Sequence, residues 1–218
     1  SGIITGDELA AIDEASKIFN IKGKVLPITL DNANLCAELE NGQIIHGEAN
    51  IDIPKHYTSV KIKKIFLSSK TYILPDTREA ILNAETIVIG PGDIFTSVIP
   101  CLLVDGVIEA IKQSKAKKIY VCNIMTKDGE SNDFKASDFL ENIEKYLGRG
   151  IITHFIVNSA HVTENLLANY AKENATQVLI DDKIFSRKDI KIIKEDLINI
   201  KDIVRHESNK LAKVIIDL

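Results

Sequence analysis

Residues 85–100 read Glu-Thr-Ile-Val-Ile-Gly-Pro-Gly-Asp-Ile-Phe-Thr-Ser-Val-Ile-Pro. The apolar run 86–89 is typical of a short strand that is covered on both faces of a parallel sheet. A Gly90-Pro91-Gly92 turn follows at once, and its glycines leave the backbone free to approach a ligand. Because ligands of α/β proteins lie outside the carboxyl ends of the strands, this stretch predicts an α/β fold with a pocket for an anionic ligand at this turn.

Strand and helix patterns alternate from residue 61 to residue 180. This alternation predicts right-handed βαβ units and a Rossmann-like, mostly parallel sheet. Helices are also expected at 8–19 and 209–218, and a strand at 24–29, while 191–197 fits a strand or a helix. Within the alternating region, strands are expected at 61–68, 86–89, 118–123, 151–158 and 177–180, and helices at 75–84, 102–115, 136–147 and 163–173.

A β-hairpin interrupts this pattern near the N-terminus. Asn41-Gly42 lies between the strand-like runs 35–39 and 43–47, and this dipeptide favours a type I′ turn. We therefore expect a hairpin insertion over about residues 33–48.

Composition limits the class of protein. The 218 residues are 45% hydrophobic, which suits one folded domain over residues 1–218. A net charge of -4, 6% aromatic residues and no tryptophan argue against a nucleic-acid partner. No apolar run reaches the roughly 20 residues of a membrane span. Cys36, Cys101 and Cys122 are widely spaced among apolar neighbours, which predicts buried, reduced thiols and a cytoplasmic location.

Three polar loops follow consecutive predicted strands and could form one shared crevice. The first two loops are longer and more polar than a turn requires, which favours a binding role. The candidate ligand-binding residues are Gly90, Gly92, Asp93, Thr96 and Ser97 in the first loop, Asn123, Met125, Thr126, Gly129 and Glu130 in the second, and Asn158 in the third.

Each of these residues also has a purely structural interpretation. Ordinary turns after strands favour the same residue types, above all at Asn158. Asp93 could be a helix N-cap, and Thr96 and Ser97 could cap the turn before Pro100. Lys127, like its neighbours Asp128 and Glu130, has the pattern of an exposed loop charge.

Several kinds of chemistry are excluded by spacing. The glycine turn lacks the Gly-Lys-Ser/Thr ending of a phosphate-binding P-loop, and Phe95 stands where a dinucleotide-binding motif needs its third glycine. No Gly-x-Ser-x-Gly surrounds Ser97, and the five histidines show no zinc-ligand spacing. No catalytic residue and no metal ligand are therefore assigned.

The first two loops carry a resemblance to a known family. Gly-Pro-Gly-Asp-Ile-Phe-Thr-Ser-Val-Ile-Pro (90–100) and Cys-Asn-Ile-Met-Thr-Lys-Asp-Gly-Glu-Ser (122–131) resemble the CofD-like superfamily. The gluconeogenesis-factor branch is the most similar, with Gly-Pro-Gly-Ser-Leu-Tyr-Thr-Ser-Ile-Ile-Pro and Cys-Asn-x-Met-Thr-Gln-Pro-Gly-Glu-Thr at the same separation. Residues 25–30, 35–38, 47–51 and the pair Arg205-His206 also look like that branch.

This resemblance implies a Rossmann-like fold, a cytoplasmic location and a nucleotide-linked ligand. In the gluconeogenesis-factor branch the ligand is a UDP-sugar such as UDP-N-acetylglucosamine, and the role is regulatory, in gluconeogenic growth and cell shape, without turnover. An alternative is the other branch, the 2-phospho-L-lactate transferases of deazaflavin coenzyme synthesis, for which Mg²⁺ would be the cofactor.

Two departures from the family pattern lead to further expectations. Family members begin with a strand running into Gly-Gly-Gly-Thr-Gly, so this chain is expected to be an N-terminally truncated CofD-like domain. A third interpretation is then a ligand-free interaction or scaffold module, whose exposed sheet edge would favour a homo-oligomer, whereas a monomer without ligand binding would indicate a non-binding remnant. Asp93 stands where relatives often have Ser or Asn, and its carboxylate would disfavour a phosphate beside it unless a cation intervenes.

Overall fold

The structure is a computed structural model, and it describes residues 8–19, 21–54, 58–200 and 203–218. Helices and strands alternate along most of this length. In chain order they are α1 (Glu8–Ile18), β1 (Leu35–Leu39), β2 (Ile44–His46), α2 (Glu48–Asp52), β3 (Ile62–Leu67), α3 (Pro75–Asn83), β4 (Thr86–Ile89), a π-helical turn (Ile94–Val98), α4 (Ile99–Leu102), α5 (Val107–Gln113), β5 (Lys117–Val121), α6 (Ala136–Leu147), β6 (His154–Asn158), α7 (Glu164–Ala171), α8 (Asp182–Phe185), β7 (Lys191–Glu195), β8 (Ile198–Ile200), β9 (Val204–His206) and α9 (Ser208–Ile216).

A parallel sheet with the strand order β4-β5-β6-β7 forms the centre of the fold, which confirms the Rossmann-like prediction. The central strands β5 and β6 are mostly apolar and buried, because both of their faces are covered. β4 lies at the edge of the sheet with Val88 41% exposed, so the expectation of a strand covered on both faces is wrong for residues 86–89. On one face, Tyr120 and Phe155 belong to the main core together with residues of α5 and α6. On the other, Ile119 and Val121 pack with the apolar side of α9.

A separate antiparallel sheet with the order β2-β1-β3 contains the predicted hairpin. Its turn is not type I′. The N–H of Leu39 donates to the carbonyl of Gln43 and that of Gly42 donates to Leu39, so the loop has three residues. Gly42 has a φ of +85°, whereas Asn41 has a negative φ. This is the combination of a type I turn with a G1 bulge, which places only the glycine in the left-handed region.

Other local predictions need correction. β3 pairs antiparallel with β1 rather than joining the parallel sheet, because β1 offers it a complementary edge. Residues 24–29 form no strand, since Pro27 cannot donate to a ladder. Residues 177–180 contribute only an isolated bridge between Gln177 and Met125. The helix expected at 102–115 is divided into α4 and α5, because Gly106 between them has a φ of +97°.

The cysteines are free thiols, and Cys36 and Cys122 are buried as expected. Cys101 is exposed, contrary to the prediction, because Ile99 and Leu102 occupy the core-facing positions of the four-residue helix α4. Within the described ranges, no helix is long and apolar enough to cross a bilayer.

Candidate functional site

An open cavity of about 1240 Å³ lies outside the carboxyl ends of β4 and β5. We call it the crevice, and its walls come from residues within 52–54, 91–93, 123–128, 170–175 and 204–215. Two of these segments are the first two loops predicted from sequence, and Gly92, Asp93, Asn123, Met125 and Thr126 line the crevice together. The predicted meeting of the two loops is therefore present in the structure.

The glycine turn packs closely against β5. Gly90 has a φ of +69°, and a Cβ placed there would lie 3.1 Å from the carbonyl oxygen of Val121. The peptide bond between Gly90 and Pro91 is cis. The N–H of Gly92 points toward the side-chain oxygen of Asn123, with 3.5 Å between the two atoms. A side chain at Gly90 would separate the two loops, so the glycine keeps the crevice in shape.

Glu130 anchors the π-helical turn through two hydrogen bonds. Its carboxylate accepts hydrogen bonds from the N–H of Phe95 at 3.0 Å and from the hydroxyl of Thr96 at 2.9 Å. The side chain is only 1% exposed, so the expectation of an exposed loop charge is wrong. Glu130 is buried because its carboxylate accepts hydrogen bonds from a turn that lies 35 residues away in the sequence, a tertiary contact that local sequence does not reveal. Burial raises the pKa of Glu130, while the charge of Lys127 and the Thr96 hydrogen bond act to lower it.

Lys127 is also not the exposed loop charge that the sequence suggests. Its Nζ lies 2.7 Å from Oδ2 of Asp93 and 3.2 Å from Oε1 of Glu130, and it donates to Asp52 as well. Burial acts to lower the pKa of Lys127, but the hydrogen bonds to Asp52 and Asp93 outweigh it and raise that pKa. The cation that Asp93 was expected to need beside a phosphate is thus supplied by the chain itself.

The three carboxylates around Lys127 are also candidate metal ligands. The oxygens of Asp52, Asp93 and Glu130 lie within 4.8 Å of one another, close enough to hold a metal ion by distance alone. Mg²⁺ requires oxygen ligands at about 2.0–2.1 Å in near-octahedral geometry. Because the ammonium of Lys127 already contacts all three carboxylates, the arrangement fits that ammonium and does not fit Mg²⁺ at the same time.

The remaining predicted residues lie around the crevice rather than on its surface. Gly129 has a φ of +78° and faces Pro54, where a Cβ would approach to 2.6 Å. Ser97 is exposed and lines a smaller apolar groove beside β4. Asn158 bridges the end of β6 to the start of β8, since its amide oxygen accepts the N–H of Leu197 at 3.0 Å and its amide nitrogen donates to Ala160.

All three residues of β9 line the crevice, and the site prediction omitted them. Arg205 is exposed there, and within the part of the chain that the structure describes no carboxylate lies within 4.0 Å of its guanidinium. The Nε2 of His206 is buried without a hydrogen-bond partner among the described residues, and burial lowers the pKa of this histidine. The available signal was the resemblance at Arg205-His206, because no spacing rule links residues so distant from the glycine turn.

Comparisons with known proteins give consistent results. The family model described as "2-phospho-L-lactate transferase CofD" matches residues 2–198. A protein of Halalkalibacterium halodurans named "Gluconeogenesis factor" is 41% identical over 98% of this chain and 66% of its own length. A protein of the same name from Bacillus subtilis is 35% identical over 99% of this chain and 67% of its own length.

A solved structure agrees in fold as well as in sequence. The crystal structure of a member of the UPF0052 family from Bacillus halodurans superposes with a TM-score of 0.91 and 40% identity, covering 98% of this chain and 69% of that one. The chain therefore spans about two thirds of the length of these relatives.

Proposed function

The chain belongs to the family described as 2-phospho-L-lactate transferase CofD, and on that premise we propose that it binds a sugar nucleotide of the UDP-N-acetylglucosamine class in the crevice. We further propose that this binding is regulatory, without turnover, and serves gluconeogenic growth and cell shape in the cytoplasm. The name "gluconeogenesis factor", carried by relatives at 35% and 41% identity, supports the regulatory role.

The observation that carries the proposal is an exposed arginine on the wall of a large cavity, with no carboxylate partner among the residues that the structure describes. Pockets of about 300–1,000 Å³ already hold drug-sized ligands, so a crevice of about 1240 Å³ has room for a nucleotide joined to a sugar. Arg205 presents a planar set of donors, which suits a diphosphate. The crevice also lies where open α/β sheets bind ligands.

The two cations that line the crevice differ in their carboxylate partners. Lys127 is held by Asp52 and Asp93 and is not available to a ligand's phosphates. Arg205 has no such carboxylate among the described residues. We therefore place the diphosphate toward Arg205, and the sugar hydroxyls toward Asp93 and Asp128, whose carboxylates accept hydrogen bonds.

The residues predicted from sequence then take two kinds of role in the proposal. Gly92, Asp93, Asn123, Met125 and Thr126 contact the ligand, because they line the crevice. The others support the loops that make those contacts. They are Gly90, Thr96, Ser97, Gly129, Glu130 and Asn158.

Thermal unfolding in the presence of UDP-N-acetylglucosamine tests the proposal. A ligand at 100 times its Kd stabilises the native state by about 2.7 kcal/mol. For a chain of this size that raises Tm by roughly 5–11 °C. Arg205→Gln should remove most of the shift. Arg149→Gln should keep it, because Arg149 is an exposed arginine that follows α6 at the amino end of β6. Absence of a shift at millimolar ligand would contradict the proposal.

The description of the family model favours one second candidate, a phospholactate transferase. Incubation of the protein with the deazaflavin acceptor, the activated phospholactate donor and Mg²⁺ decides between turnover and regulation. Product formation above a protein-free control would replace the regulatory proposal. Gel filtration separately tests the expected homo-oligomer, since β4 pairs only with β5 among the described strands and leaves Val88 41% exposed.

A further inference from the structure

We propose that Lys127 is the resident cation of the crevice: its ammonium occupies the position that a divalent metal would take among Asp52, Asp93 and Glu130. It follows that the crevice binds its ligand without a metal. That consequence rests on the proposed function, whereas the role of Lys127 as the cation of this cluster does not.

The three carboxylates come from separate parts of the chain and meet only in the folded protein. Asp52 ends α2, Asp93 precedes the π-helical turn, and Glu130 lies in the loop after β5. Their oxygens are mutually within 4.8 Å, which is the spacing of a cation site. Each of the three has an oxygen in contact with Nζ of Lys127. An ammonium has three donors, so the group can satisfy one oxygen of each carboxylate.

A second cation has no room at this centre while Lys127 is in place. A metal that bound the same oxygens at about 2.0–2.6 Å would contact the ammonium, and the two positive charges would repel each other strongly in a partly buried site. The backbone of Lys127 is held in place as well, since its N–H donates to the hydroxyl of Ser131 at 2.9 Å. The Lys127 side chain is only 28% exposed.

The remaining negative charge does not demand a metal. Glu130 is the buried member, and its oxygens also accept from the N–H of Phe95 and the hydroxyl of Thr96. Asp52 and Asp93 are 33% and 37% exposed and therefore keep contact with water. Hydrogen bonds and solvent together complete the neutralisation that Lys127 begins. Unlike a metal, this cation cannot be removed by a chelator.

Titration with Mn²⁺, followed by the electron paramagnetic resonance signal of the free ion, tests the assignment directly. The wild-type protein should show no saturable Mn²⁺ site at millimolar concentration. Lys127→Gln should create one Mn²⁺ site per chain. Its affinity for Mn²⁺ should be at least about a hundredfold higher than that of the wild-type protein, because a positive charge at the centre has been removed. The double variant Lys127→Gln/Glu130→Gln should lose that site. Lys188→Gln, at an exposed lysine, should behave as the wild type.

The outcomes separate this assignment from the proposed function. A saturable Mn²⁺ site in the wild type that Asp93→Asn abolishes would overturn it, and this measurement does not depend on whether Lys127→Gln folds. A folded Lys127→Gln that binds no Mn²⁺ would overturn it as well. The shift in Tm with UDP-N-acetylglucosamine should be the same in EDTA and in Mg²⁺, and a shift that requires Mg²⁺ would overturn metal independence. If no shift occurs in either, the proposed ligand fails while the Mn²⁺ titration still decides the role of Lys127.

Discussion

Replacing Glu130 by alanine should destabilise the protein by about 4–6 kcal/mol, although Glu130 is a charged residue in a loop. The side chain is 1% exposed, so its removal leaves the N–H of Phe95 without its acceptor inside the protein. An orphaned buried donor costs about 1–3 kcal/mol. Loss of the Thr96 hydrogen bond adds about 1 kcal/mol, and loss of two buried methylene groups adds about 1.6 kcal/mol.

The comparison with Glu130→Gln separates the hydrogen bonds from the charge. Glutamine keeps the shape and an acceptor for Phe95, and its amide can donate to the hydroxyl of Thr96. Because burial raises the pKa of Glu130, the folded state gains little from the negative charge itself. The glutamine variant loses the contact with the ammonium of Lys127 but keeps the acceptor for Phe95, so it should cost about 1–2 kcal/mol, less than the alanine variant.

Urea unfolding followed by circular dichroism measures both free energies, and Tm should fall by roughly 8–24 °C for the alanine variant alone. Glu141→Ala is the matched control, since Glu141 is exposed on α6 and should stay within about 0.5 kcal/mol of wild type. If Glu130→Ala also stays within that range, Glu130 does not support the π-helical turn. If the alanine and glutamine variants lose the same free energy of unfolding, the charge of Glu130 and not its hydrogen bonds stabilises the protein.

Two further predictions concern charged groups. Arg187→Ala should lower the free energy of unfolding, measured in urea, by about 3–5 kcal/mol. It removes two hydrogen bonds of 2.7 and 2.8 Å and leaves the carboxylate of Glu144, which is only 7% exposed, unpaired. A cost below about 1 kcal/mol would show that the pair is solvated. The free energy of unfolding of wild type relative to Glu130→Gln should fall as pH rises above about 4.5, through the raised folded-state pKa of Glu130, because the folded state then binds more protons than the unfolded state. Urea titrations at a series of pH values check the second prediction, and an unchanged difference between the two proteins would refute it.

Local sequence patterns predict the helices and parallel strands because their causes are local. The predicted helix at 136–147 matches α6 because apolar residues recur on the face that meets the core. Strand partners are not local. The strand pattern at 61–68 correctly predicts β3, but it cannot show that β1 and not the parallel sheet offers the free edge. Pairing of this kind depends on how the whole chain packs.

The crevice likewise combines features that local sequence predicts with features that depend on how the whole chain packs. Its two loops are predictable because each directly follows an apolar strand, and the turn residues there favour a close approach of the backbone. The environment of a charge in such a loop is not predictable. Lys127 and Glu130 are three residues apart and have the composition of a solvated turn. Glu130 becomes a buried hydrogen-bond acceptor, and Lys127 a cation among carboxylates, only because that loop packs against α2 and the π-helical turn.

Lys127 alters the electrostatic environment of Asp93. Taken from sequence, a carboxylate beside the glycine turn argues against a phosphate there unless a cation intervenes. Lys127 intervenes, but Asp52 and Glu130 share the same ammonium, so the cluster as a whole stays acidic and gives a phosphate little attraction. Arg205, which β9 brings to the crevice, is a cation without a carboxylate partner among the described residues. In the proposed function, the anionic part of the ligand meets Arg205 and its hydroxyl-rich part meets the acidic cluster, whereas inorganic diphosphate would meet only Arg205. We therefore expect a sugar nucleotide to bind more tightly than inorganic diphosphate.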